Sequence, residues 1–301
     1  MKLFSGTSNL PLSQKISALC QPLSEVVLKK FADGESFAQL MHSARGEHAV
    51  LIQSISAPVN DNLMEALVVI DALKRNGAKR ITLVAPYLGY SRQDRRVGTT
   101  RTPITAKLVA DTLTAAGMNQ LITVDVHNLA IEGFYNIPFM NVTTSNLFAE
   151  DIRANFPDLE SAIIVSPDAG GVGRARQVAK ELDLDVAIID KRREKANQVE
   201  SMRLIGDVAG KDAILIDDIA DTCRTMLKSV NLLCEKGAKS VQIYVSHGIF
   251  SEDALEVIDN SAIRELVVTD SIVNEKADKV SKIRRVSVAP MIIEIIMRAI
   301  N

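Results

Sequence analysis

Short runs of β-branched and aliphatic residues recur along this chain, each followed by a segment whose apolar positions repeat at helical spacing. This alternation limits the fold more than any other feature. Residues 49–53, 80–85 and 120–124 predict strands, and 60–75 and 103–116 predict the helices between them. Strands joined by helical crossovers run parallel. Pro103 suits a helix first turn, where its missing N–H costs nothing, and Gly77 and Gly117 stand where C-caps belong. The pattern restarts after about residue 145, with strands at 162–166, 186–190, 213–217 and 240–246 and helices near 171–181 and 222–236. The expectation is an α/β protein of two similar halves, 1–144 and 145–287, each a mainly parallel sheet flanked by helices, and 301 residues suit two domains.

Composition narrows the function. Lys+Arg 35 against Asp+Glu 37 leaves a formal charge of -2, so the chain lacks the basic surface that drives general nucleic-acid binding. No apolar run approaches a membrane span, and the most hydrophobic stretch, 291–297, is interrupted by Glu294. Residues 1–10 show no signal-peptide pattern. Cys20, Cys223 and Cys234 form neither a disulfide framework nor a CxxC pair. The reading is a cytoplasmic protein with reduced thiols and no structural zinc.

In open parallel sheets, ligands bind beyond the carboxyl ends of the strands, so the residues after each apolar run carry the information. After 213–216 come Asp217, Asp218, Asp221, Thr222, Cys223, Arg224 and Thr225. Hydroxyls and backbone N–H groups opening a helix suit a phosphate, while adjacent acids suit ribose hydroxyls or Mg²⁺; the bland alternative is a solvated acidic turn with Thr222 as N-cap. After 163–166 come Asp168, Gly170, Gly171 and Gly173. Arg176 breaks a dinucleotide GxGxxG, no phosphate-loop GxxxxGK[ST] exists, and the glycines permit close approach to an anion or simply make a turn. The run Asp190-Lys-Arg-Arg-Glu-Lys195 offers cations that either stabilise a phosphoryl group in transit or form a solvated face. The first half adds the basic segment 91–96 and His127 beyond 120–124.

Taken in order, Phe31-Ala-Asp-Gly-Glu35, Pro58-Val-Asn-Asp-Asn-Leu-Met-Glu65, Tyr90-Ser-Arg-Gln-Asp-Arg95, Pro103-Ile-Thr-Ala-Lys-Leu-Val109, Asp125-Val-His127, Ser166-Pro-Asp-Ala-Gly-Gly-Val172, Asp190-Lys-Arg-Arg193 and Asp217-Asp-Ile-Ala-Asp-Thr222 span nearly the whole chain. This set resembles the ribose-phosphate pyrophosphokinases, also called phosphoribosyl pyrophosphate synthetases. The resemblance implies two phosphoribosyltransferase-like domains, with the terminal helix of 288–301 returning to the first, and self-association as dimers or hexamers. It implies Mg²⁺-dependent transfer of the pyrophosphoryl group of ATP to the 1-hydroxyl of ribose 5-phosphate. Phe31, Asp33, Gly34 and Glu35 would meet ATP from a neighbouring subunit, with Arg92 and Gln93 completing that pocket. His127 and Asp168 match metal positions, Lys191 and Arg193 the catalytic cations. Arg193, Asp217, Asp218, Asp221, Thr222, Cys223, Arg224 and Thr225 match ribose 5-phosphate positions.

Three departures from the family pattern bear on this expectation. The phosphate loop usually reads Asp-Thr-x-Gly-Thr, and Arg224 replaces its glycine. Ala130, Glu132, Asn136 and Met140 stand in a segment that commonly reads Gln-Ile-Gln-Gly followed by two acids. The sequence ends at Asn301 without the usual Ser- and Phe-containing tail, which leads to an expectation of weak allosteric inhibition by ADP. A non-catalytic regulatory subunit is the alternative to an active synthetase.

Overall fold

The apolar runs form strands where the sequence predicts them, with ends shifted by up to three residues. The computed structural model describes residues 1–156, 158–192 and 201–300, and these fall into two units. The first comprises Met1–Val142, Ser271–Val273 and Ser287–Asn301; the second comprises Thr143–Asp270 and Asn274–Val286.

In the first unit, β1 (Lys2–Ser5), β4 (His48–Ile52), β5 (Arg80–Ala85), β6 (Gln120–Val124) and β7 (Phe139–Val142) make a parallel five-stranded sheet in the order β1-β4-β5-β6-β7. The antiparallel hairpin β2 (Val26–Lys30) and β3 (Ser36–Leu40) follows α1 (Leu10–Leu19). Phe4, Leu51, Leu83 and Leu121 face a core completed by Val69, Ile70 and Leu73 of α2 (Val59–Arg75) and Val109 and Leu113 of α3 (Thr105–Ala116). Val26, Leu28, Ala38 and Leu40, on one face of the hairpin, pack against this core. Alternate strand residues turn the other way, as a two-residue period requires, and Leu3, Val50 and Ile122 are as fully buried. Gly117, at φ 128°, caps α3 as expected, but Pro103 lies outside the helix, ahead of its N-cap Ile104.

The second unit contains α4 (Ser145–Asn155), β8 (Ala162–Ser166), α5 (Val172–Leu182), β9 (Val186–Arg192), β10 (Ser201–Ile205), β11 (Asp212–Ala220), α6 (Arg224–Glu235), β12 (Ser240–Gly248), α7 (Ala254–Asp259), β13 (Glu265–Thr269) and β14 (Ile283–Val286). Its seven strands lie in the order β10-β9-β8-β11-β12-β13-β14, all parallel except β10 against β9. Both faces are buried. Ile163, Val165, Ala213 and Leu215 pack with Val230 and Leu233 of α6, while Ile164, Ile214 and Ile216 pack with Phe148 and Ile152 of α4 and Val178 of α5. The closing helix, α8 (Ala289–Ile300), belongs to the first unit and packs on α1. Among the described residues, no helix is long and apolar enough to cross a membrane.

The strand order reverses direction between β8 and β11. From β8 the chain moves outward to β9, then returns to place β11 on the other side of β8. Loops leaving adjacent strands at such a switch point diverge and open a crevice at the carboxyl end of the sheet.

Candidate active site

β11 does not end at Asp217, as the sequence predicts, and takes in Asp218 as well. The strand continues to Ala220 because β12 supplies partners beyond the acids, at Ile219↔His247 and Ala220↔Gly248. Here the backbone N–H of Asp218 donates to Asp217 Oδ1 at 2.9 Å. Burial, and next the charge of Asp218, hold the Asp217 carboxyl well above the usual carboxylate range, opposed weakly by the guanidinium of Arg174. Arg174 lies 3.6 Å from Asp218 Oδ1, and both side chains are shielded, at 16% and 10% exposure.

Sequence reading missed Arg174, noting only Arg176 beside it. A signal was present: a cation in the first turn of α5 opposes the helix dipole and calls for an acidic partner.

The next turn carries the conformational strain. Cys223, the N-cap of α6, takes the left-handed conformation at φ 59°, while Arg224 is an ordinary first helical residue. The helix thus opens at Arg224, after the predicted Thr222. The family's glycine can give way to arginine here because the positive φ falls one residue earlier, on Cys223. The guanidinium does not stand free at the helix opening. It donates to Glu252 Oε2 and Asp253 Oδ1, each at 3.0 Å, and remains exposed. The backbone N–H groups of Ile249 and Phe250 donate to Ala220 O, and that of Ser251 to Asp221 O, so this acidic turn is tied to the end of β11. Burial, then the charges of Asp221 and Asp217, push the Cys223 thiol up to about 12, so it is an inert small hydrophobe.

Beyond β8, Asp168 Oδ1 accepts the N–H of Gly171 at 2.8 Å, and Ser166 Oγ donates to the Asp168 carbonyl at 2.7 Å. A Cβ at Gly171 would come within 3.1 Å of Ser166 Oγ, so this glycine serves close approach. Lys191 lies on β9, next in the sheet, opposite Met202. The second unit therefore gathers Asp168, Lys191, Asp217, Asp218 and 221–225 at one end of three neighbouring strands. Arg193 lies outside the described residues.

The first unit gathers the other candidates. Phe31, Asp33, Gly34 and Glu35 form the exposed tip of the hairpin, closed by Phe31 N–H to Glu35 O at 2.8 Å and Gly34 N–H, at φ 95°, to Phe31 O at 2.9 Å. Lys30 pairs with Asp61 at 2.6 Å, and the Tyr90 hydroxyl binds Asn60, so hairpin and 90s loop both lean on the first turn of α2. Arg92 is exposed in that loop. Gln93 is committed to α3: its carbonyl accepts from Ala106 N–H at 3.2 Å and its Oε1 from the Thr105 hydroxyl at 2.6 Å. His127 is exposed after β6, and Asn128 beside it donates to Asp94, joining this turn to the 90s loop.

His127 and Asp168 fall in separate units. Among the described residues, no group of three His, Cys, Asp or Glu side chains could hold a metal ion. Mg²⁺ keeps waters and substrate phosphates around one or two carboxylates, and Asp168, half-buried with one oxygen fixed by Gly171, fits that mode. Imidazole is a poor match for so hard a cation, so His127 suits a metal-bound water or phosphate better than the metal itself.

The Asp217 shift sets a stability prediction. Its folded pKa lies above its unfolded value, so the folded state binds more protons and stability is lost as pH rises from the ordinary carboxylate range toward the raised value. Asp217→Asn keeps the acceptor for Asp218 N–H and cannot ionise. It is expected to raise stability at neutral pH by about 1 kcal/mol. Thermal melts from pH 4 to 8 check this; a parental pH profile in the variant would refute the burial argument.

A crystal structure of phosphoribosylpyrophosphate synthetase from Mycobacterium smegmatis superposes with a TM-score of 0.93 at 37% identity, over 99% of this chain and 98% of that one. Fold and site thus define a chain of two phosphoribosyltransferase-like domains. Residues 1–117 match the family model for the N-terminal domain of ribose phosphate pyrophosphokinase, and 193–301 match that of the phosphoribosyl synthetase-associated domain. The ribose-phosphate pyrophosphokinase of Caulobacter vibrioides is 50% identical, covering 100% of this chain and 97% of its own. That of Campylobacter jejuni is 47% identical over 99% and 95%. The chain belongs to the ribose-phosphate pyrophosphokinase family, and full-length likeness to enzymes supports the catalytic reading over a regulatory subunit.

Proposed function

We propose that this chain is an ATP-dependent ribose-phosphate diphosphokinase of the cytoplasm. The 1-hydroxyl oxygen of ribose 5-phosphate attacks the β-phosphorus of ATP, the bond from that phosphorus to the α,β-bridging oxygen breaks, and the hydroxyl proton is lost. The products are phosphoribosyl pyrophosphate and AMP. The observation that carries this reading is the meeting of Asp168, Lys191, Asp217, Asp218 and the 221–225 turn at the switch point of the second sheet.

Asp217, Asp218 and Asp221 orient the ribose, and Thr222, Cys223, Arg224 and Thr225 offer hydroxyls and N–H groups at the start of α6 to its phosphate. Lys191 and Arg193 stabilise charge in transit, since phosphoryl transfer rests on positioning and electrostatics. Phe31 stacks on the adenine, with Asp33, Gly34, Glu35, Arg92 and Gln93 around the nucleotide. Asp168 would hold Mg²⁺, whose charge would offset that of the polyphosphate, and His127 would hydrogen-bond a phosphate oxygen or a metal-bound water. The exposed hairpin tip serves a neighbouring copy in a dimer or hexamer.

AMP formation from ATP, Mg²⁺ and ribose 5-phosphate by the purified protein alone is the test. No turnover across Mg²⁺ and phosphate concentrations would instead identify a regulatory subunit.

Arg224 acts through its backbone N–H, because two carboxylates already hold its side chain. Exposed pairs of this kind contribute little. Arg224→Ala is therefore expected to change the KM for ribose 5-phosphate by less than about threefold. A loss of tenfold or more would mean that the guanidinium leaves its acids for the phosphate.

A further inference from the structure

The outer face of the hairpin carries side chains that the core does not use. Register pairs Val26 with Leu40 and Leu28 with Ala38 on the inner face, and Lys29 with Phe37 on the outer. Phe31, two residues beyond Lys29, shares that outer face and is 49% exposed. Its ring meets Phe37 edge-on, with centroids 5.6 Å apart and planes at 75°. The Lys29 ammonium lies 4.7 Å from the Phe37 centroid and 5.9 Å from that of Phe31.

We propose that Phe37 and Lys29 are positioning residues for the purine-stacking ring of Phe31. This rests on the reading that Phe31 binds the adenine. A ring on an exposed hairpin tip explores several rotamers, and ordering it on binding weakens affinity. Phe37 supports Phe31 from one side in the edge-on arrangement aromatic pairs prefer, while a broad face stays open to a base. Lys29 in turn holds Phe37 by a cation–π contact from the opposite strand. The arrangement prepares the stacking surface before ATP arrives.

Initial rates of the full-length protein, with ATP varied at saturating ribose 5-phosphate and Mg²⁺, test the idea. Phe37→Ala is expected to raise the KM for ATP about fivefold, with kcat and the KM for ribose 5-phosphate nearly parental, and Phe37→Tyr to restore it. Lys29→Ala is expected to raise it about twofold, with Lys29→Arg restoring it. Phe31→Ala provides the reference. If Phe31→Ala raises the KM for ATP and Phe37→Ala does not, the positioning role is wrong while the adenine site stands. If Phe31→Ala has no effect, the adenine reading itself fails. If Phe37→Ala lowers kcat and raises both KM values without rescue by tyrosine, Phe37 only maintains the hairpin, and the proposal is overturned.

Discussion

Lys191→Ala is expected to lower turnover by about two to three orders of magnitude while leaving the fold intact. The kinetic part follows from the role proposed for this cation: a charge aimed at the transferring phosphoryl group matters most in the transition state. The structural part follows from its place in the sheet. Val186, Ala187 and Ile188 of β9 pair with β8, but Asp190, Lys191 and Arg192 extend past Ser166 and, among the described strands, pair with β10 alone. A two-stranded ribbon of this kind contributes little to global stability, and Lys191 is absent from the buried core. Unfolding should therefore change by no more than about 0.5 kcal/mol. Rates of AMP formation beside a denaturant titration separate the two effects. Near-parental turnover would place Lys191 on a solvated face.

Strand–helix alternation was legible because buried parallel strands must be apolar on both faces, as Ile163 against Ile164 and Leu215 against Ile216 illustrate. The acids of β11 broke that pattern: an apolar run that stops at Ile216 reads as a strand that stops, yet pairing to β12 carries it to Ala220. Strand β10 alternates exposed and half-buried residues from Ser201 to Ile205, but nothing local marked it as the antiparallel edge. The position of α6 could not be read from Thr222, because the turn is set by Cys223 in a conformation residues other than glycine seldom adopt. Side-chain partners were the least legible, since Arg224 finds Glu252 and Asp253 nearly thirty residues away.

Arg174→Ala is expected to destabilise the protein by about 3 kcal/mol at neutral pH, although local helix physics favours the change. Alanine is the better helix former, and removing a cation from the first turn of α5 relieves an unfavourable interaction with the dipole, together about 0.5 to 1 kcal/mol. The opposing effect is larger. Asp218 is buried, with the Asp217 carboxyl beside it, and loses the guanidinium 3.6 Å away. Breaking a buried pair from one side commonly costs about 3 to 5 kcal/mol, because the remaining charge is left poorly compensated. The loss belongs to the charged carboxylate, so it is expected to be largest at neutral pH and smaller in acid. Adding Asp218→Asn should recover most of the stability, which a general packing defect at Arg174 would not allow. Urea unfolding of the single and double variants at pH 5 and pH 8 distinguishes these cases. Equal destabilisation at both pH values, with no recovery in the double variant, would show that Arg174 supports the crevice by its bulk and not by its charge.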